Sequence, residues 1–187
     1  MINKESSGTN KMVNTGYINV FLTLILICSI FLCSCNRDVP DDKVTMENVN
    51  VSAQNVCRGF FQSIYDDDAV LFKQCFYKDY FDDNFESVFE EYKNSTASGL
   101  TFIGTQHIAT RPCDENNDLD YETVKGNISY FSKVDEESIK DIQLVSVKIF
   151  LEDEGTPKTI EVYSIVYLAE QSWYFFSVVD VTAKKAN

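Results

Sequence analysis

Hydrophobic and polar positions change rhythm twice along this chain. From Val20 to Leu32 there is no rhythm: aliphatic and aromatic residues follow one another without a charge. A bilayer-spanning helix needs about 20 such residues, and this run is shorter. From Val49 to Thr96 apolar residues recur at three- and four-residue steps, the mark of amphipathic helices. From Leu100 onward the period falls to two, as in half-buried strands.

The helical stretch resolves into three elements. Ala53, Val56, Cys57, Phe60 and Ile64 make one apolar face over Val49–Tyr65. Asp66-Asp67-Asp68 ends that helix and offers an N-cap to the next, over Ala69–Tyr80, with Ala69, Phe72, Phe76 and Tyr80 on one stripe. Asp83 and Glu86 have capping-box spacing ahead of Asn84–Thr96, and Gly99 is a stop signal. Five strands are predicted, over Leu100–Thr110, Leu119–Lys133, Asp141–Glu152, Lys158–Glu170 and Ser172–Val181. Val145, Val147, Ile149 and Leu151 alternate cleanly, and a tight turn falls at Glu170-Gln171. Helices first and strands after predicts an α+β domain, its amphipathic helices on one face of a curved antiparallel sheet of about five strands.

The short apolar run lies behind Lys4 and Lys11 and reads as a secretory signal. It ends in Leu32-Cys33-Ser34-Cys35, which resembles the lipobox of bacterial lipoproteins. Cys33 stands where Ala, Ser or Thr is more usual. Cys28 follows Leu26-Ile27 and Cys33 follows Phe31-Leu32, so neither of those cysteines has small residues before it. The resemblance implies a diacylglycerol on the Cys35 sulfur and cleavage just before that residue. Two acyl chains anchor a protein stably. An uncleaved anchor helix or an ordinary signal peptide is the alternative. The expected organisation is a signal peptide over 1–34, the lipidated cysteine and a flexible tether over 35–48, and one α+β domain over 49–183. The expected location is the cell membrane or the outer membrane, lipid-anchored and facing the extracytoplasmic side.

Charge narrows the partners. The whole chain carries −13, and the segment ahead of Cys35 holds Lys4, Lys11 and Glu5, so the mature part carries −14. Such a surface repels phosphate backbones and anionic lipid headgroups, which argues against nucleic acid. Cys57, Cys75 and Cys113 are too few for a disulfide scaffold and have no zinc-site spacing. Cys57 and Cys75 either pair in an oxidising compartment or serve as small buried hydrophobes. Asp114, Asn116, Asp118 and Asp120 alternate like the first half of a calcium loop. Leu119 then stands where the turn needs glycine, and Lys125 stands where the bidentate glutamate belongs. A solvated acidic loop is expected, with no metal and no cofactor.

The order of elements, closed by the strand Gln171-Ser172-Trp173-Tyr174-Phe175-Phe176, resembles the nuclear-transport-factor-2-like superfamily over about Val51–Val181, with a cystatin-like sheet packed on one long helix as the rival. That resemblance implies a cone between helices and sheet that often holds a pocket, and functions that range from isomerases and dehydratases to ligand binding and assembly. The aromatic residues point to Tyr65, Tyr80, Tyr130 and Trp173 at a pocket mouth, because each pairs a flat apolar face with a donor. His107, the only histidine, is the remaining pocket candidate and the base that an enzyme would need. No glycine-rich phosphate loop and no triad order is present. The leading expectation is a membrane-anchored domain that binds a small ligand or an envelope protein without catalysis. An isomerase or dehydratase, a subunit of an envelope complex, and a homodimer through the outer sheet face remain open.

Overall fold

Helix α1, Ala53–Tyr65, is the element on which the rest packs. The structure is a computed structural model that describes residues 39–81, 83–96, 99–114 and 119–185. The chain divides into two units, Met1–Asp38 and Val39–Asn187. The signal segment, the lipobox and Cys35 lie outside the described residues. Among the described residues no helix is long and apolar enough to cross a membrane.

Ser52 caps α1, its hydroxyl accepting from Asn55 N at 3.2 Å. Ala53, Val56, Cys57, Phe60 and Ile64 are buried, as their spacing predicts. Asp68 caps α2, Ala69–Gln74, by accepting from the amides of Val70 and Leu71. This helix stops six residues short of the predicted Tyr80. At Cys75 the backbone leaves the helix, and its carbonyl accepts from Phe175 N at 2.7 Å. The irregular stretch that follows turns Phe76, Tyr77 and Phe81 into the interior. Helix α3, Phe85–Thr96, completes this layer.

The sheet has four antiparallel strands in the order β1-β2-β3-β4: Thr101–Pro112, Ile139–Asp153, Thr156–Ala169 and Ser172–Lys185. The predicted strand over Leu119–Lys133 is instead a helix, α4, Tyr121–Ser132. Asp120 caps it, accepting from Thr123 N at 2.6 Å, and Val124 and Ile128 form its buried stripe. Its Val, Ile, Thr and aromatic residues carry strand propensity, but a cap and a four-residue step outweigh composition. Lys133 ends the helix in the left-handed conformation, φ 54°.

The helices are not confined to one face. Val145, Val147, Ile149 and Leu151 of β2 and Val162 and Val166 of β3 belong to the core beneath α1, α2 and α3. Ile142 of β2 and Ile165, Tyr167 and Ala169 of β3 alternate with them along the strands and pack with Val124 and Ile128 of α4. Side chains alternate across a strand, so α4 covers the opposite face at one end of the sheet. In the first core Phe60 is the hub, stacked on Phe175 with ring centroids 3.7 Å apart.

Residues 41–48, read from the sequence as tether, are docked. Asp41 N donates to Thr105 O at 2.7 Å, and the Asp41 carboxylate accepts from His107 N at 2.7 Å. Val44 is 3 % exposed. Its amide donates to Gln62 Oε1 and its carbonyl accepts from Gln62 Nε2, both at 2.9 Å. Arg58, buried in α1, donates to Thr105 Oγ1 and to the Asp42 carbonyl. Two glycines let this strap approach. A Cβ on Gly59 would stand 2.8 Å from Val49 Cγ2 and 3.1 Å from Val44 Cγ1, and one on Gly104 would stand 2.6 Å from Pro40 Cβ. The ordered domain therefore begins well before Val49.

Candidate ligand-binding site

Packing of α1 and α3 on the sheet is incomplete at one end. There a cavity of about 190 Å³ opens among Phe60, Phe61, Ile64 and Tyr65 of α1, Tyr92 and Ser95 of α3, and Ile149, Ile160, Val162, Val178 and Val181 of the sheet. The helices reach it with consecutive turns of their apolar faces. Ile160 and Val162 of β3 reach it as alternate residues, and a register shift at Val179 lets Val178, paired with Ser164, join Val181, paired with Val162, from β4. Val178 and Val181 are exposed and form an apolar rim.

The lining carries no carboxylate, imidazole or ammonium group. Its side-chain polar atoms are the hydroxyls of Tyr65, Tyr92 and Ser95. Burial pushes the Tyr65 phenol above its ordinary 10.0. Burial does the same at Tyr92, with Tyr80 and Glu91 adding to it. Both phenols are therefore protonated at neutral pH, and the Ser95 hydroxyl donates to the Tyr92 carbonyl at 3.0 Å. The Tyr65 ring stacks on Phe102 with centroids 5.3 Å apart and planes 5° apart, which fixes its direction. Such a site can hold an apolar, uncharged group and offer it a hydrogen bond.

The other candidates lie elsewhere. Tyr80 lines an adjoining open groove of about 540 Å³ with Phe81, Asn84, Val88 and Glu91, which shares Tyr92 and Ser95 with the cavity. His107 sits beneath the strap, its ring Nε2 2.8 Å from Thr110 Oγ1. Tyr130 projects from α4, 79 % exposed, with its ring edge-on to Phe131. Trp173 packs half-buried against the first core, and its carbonyl accepts from Asn50 Nδ2 at 2.7 Å. Of the five residues predicted to line a pocket, Tyr65 alone reaches the 190 Å³ cavity. Phe61, Ile149, Ile160 and Val178 line it without any signal in the sequence, because an apolar residue at a cavity wall has the same pattern as one in a filled core.

Among the described residues Cys57, Cys75 and Cys113 are free and buried. Burial pushes the Cys57 thiol up to about 12, with Ser164 and Arg58 opposing the shift. Cys75 is raised well above its ordinary value, first by burial and then by Cys57 and Asp68. Neither is a nucleophile near neutral pH. Of the calcium-like run, residues 115–118 lie outside the described set, while Asp120 is the helix cap. Among the described residues no three His, Cys, Asp or Glu side chains gather in a way that could hold a metal.

No protein-family model, no curated protein and no solved structure matches this chain.

Proposed function

We propose that this protein is a lipid-anchored extracytoplasmic binding protein that holds a small, uncharged, apolar ligand between its helical layer and its sheet. The observation that carries the reading is the cavity with hydrophobic walls and three hydroxyls. A lining without a carboxylate, imidazole or amine to act as a base near neutral pH favours holding a molecule over turning it over. The volume sets the size: roughly ten non-hydrogen atoms, one ring or a short chain, by comparison with an apolar cavity that admits benzene. Drug-sized ligands need about 300 Å³ or more, so a larger ligand would leave its remainder at the Val178–Val181 rim. The lipobox at Leu32–Cys35 supports the anchor. A helical layer over a long, bulged antiparallel sheet supports likeness to the nuclear-transport-factor-2-like cone, and α4 on the opposite face departs from a one-faced arrangement.

One preparation tests both halves. The protein is extracted from its own envelope with detergent, and its intact mass is measured. A mass beginning at Cys35 with a diacylglycerol is expected, and an unmodified cysteine would remove the anchor. The same material is then titrated with naphthalene and followed by NMR. Saturable shifts at Tyr65 and Tyr92 are expected, and they should vanish in Ile160→Trp, which fills the cavity from its half-buried rim. Shifts that never saturate, or that persist in the filled variant, would defeat the pocket reading.

A further inference from the structure

We propose that the β1 edge of the sheet, with Pro40 and Asp41 of the strap docked on it, is the surface this domain lays on the lipid bilayer. The inference rests on the anchoring of Cys35 proposed above. It adds an orientation that anchoring alone does not supply.

The argument starts from chain length. A tether that was free through Asn48 would let the domain tumble well clear of the headgroups. The strap removes that freedom, because the Asp41 amide donates to Thr105 O, its carboxylate accepts from His107 N, and the Arg58 guanidinium stands 3.5 Å from that carboxylate. Six residue steps separate Cys35 from Asp41. Fully extended they span on the order of 20 Å. The headgroup layer takes up about 5–7 Å of that. The domain is thus kept at the membrane surface, and its fixed point is the middle of β1.

The side chains around that point suit a lipid surface. Val39 is 53 % exposed, Ile103 51 % and Ile108 42 %. Ile103 and Ile108 are the unpaired residues at the two register shifts of β1, and bulges re-aim side chains at sheet edges. They flank the segment Gly104–His107 on which Pro40 and Asp41 sit. Of the strap's acids, Asp41 pairs with the Arg58 guanidinium and accepts from the His107 amide, while Asp42 beside it is exposed. Contacts this small would not recruit the domain from solution. Held at high effective concentration by the anchor, they suffice to orient it. The net charge of −14 on the mature part makes a zwitterionic surface more favourable than an anionic one.

The test uses the full lipidated protein in phosphatidylcholine vesicles. Nitroxide labels are placed singly through Ile103→Cys, Ile108→Cys, Gln171→Cys and Val179→Cys. The thiols of Cys57, Cys75 and Cys113 are buried, and Val179 lies three strands away, roughly 14 Å. The two β1 labels are expected to favour oxygen over a water-soluble nickel chelate as relaxant, with Gln171 and Val179 labels behaving as in water. Gly104→Ala pushes Pro40 off β1 and should bring the Ile103 and Ile108 labels down to the level of the remote sites while the protein stays on the vesicles. Four labels equally exposed to water would overturn the orientation and leave the anchor standing, as would β1 labels that keep their depth in Gly104→Ala. Protein that washes off the vesicles would overturn the anchor, and this inference with it.

Discussion

Cys57 reports how completely the helical layer is sealed. In an unfolded chain its thiol ionises near 9.0, and in the fold burial pushes it to about 12. Between those values the unfolded state has released a proton that the folded state keeps, so rising pH favours unfolding. The stabilisation is complete below about pH 9 and is lost progressively towards pH 12. Tyr77 acts with the same sign: its phenol donates to Glu170 Oε1 at 2.7 Å, which above all pushes it from 10.0 to about 12. The denaturation midpoint should therefore fall steadily above about pH 9. The slope should be shallower in Cys57→Ala. An identical slope in that variant would mean the thiol is not a source of the alkaline loss. Spacing alone put Cys57 on the buried stripe of α1. The Ser164 hydroxyl and Arg58 guanidinium that oppose its shift come from tertiary contact, and nothing in the sequence marks them.

Among the elements, the two hairpin turns show local chemistry and fold in tension. Glu154-Gly155 and Glu170-Gln171 both have positive φ at both residues, 48° and 81° in the first and 49° and 71° in the second. This is the two-residue geometry that matches strand twist, and it favours Asn-Gly or Asp-Gly. The first turn has its glycine; the second has none. A non-glycine residue in the left-handed region costs roughly 1–2 kcal/mol. Glu170 is retained by its bond from Tyr77, whereas no such contact explains Gln171. Gln171→Gly should raise stability by about 0.5–1 kcal/mol after the added entropy of glycine in the unfolded chain. Urea denaturation would read it, and a lowered midpoint would show that the Gln171 side chain supports the turn. The Leu119–Lys133 segment teaches the complementary lesson. Its composition suits a strand, yet the Asp120 cap and the pair Val124 and Ile128 were present in the sequence and specify α4. Propensity was the weaker of two legible signals.

For the whole molecule, the strap decides where the domain begins. A variant that starts at Val39 should retain the full stability of the domain. One that starts at Val49 loses the buried Val44 side chain and both of its bonds to Gln62. It also leaves Arg58 buried without Asp41 or the Asp42 carbonyl. The combined loss is on the order of 5 kcal/mol, comparable to the entire stability of many domains. Chemical denaturation of the two variants measures the difference, and equal midpoints would show that the strap is passive. The sequence by itself determined the amphipathic face of α1, the alternation of β2 and β3, the α+β class and a strongly acidic surface. These follow from period, cap and composition, which are local properties. Only the tertiary structure decided that α4 crosses to the opposite face, that Pro40 and Asp41 dock on β1 while Val44 docks on α1, and that Tyr65 and Tyr92 share a cavity with Val178 and Val181. Those outcomes depend on which surfaces meet after the chain has turned back on itself, and a packed wall and an open one present the same residues in the same order.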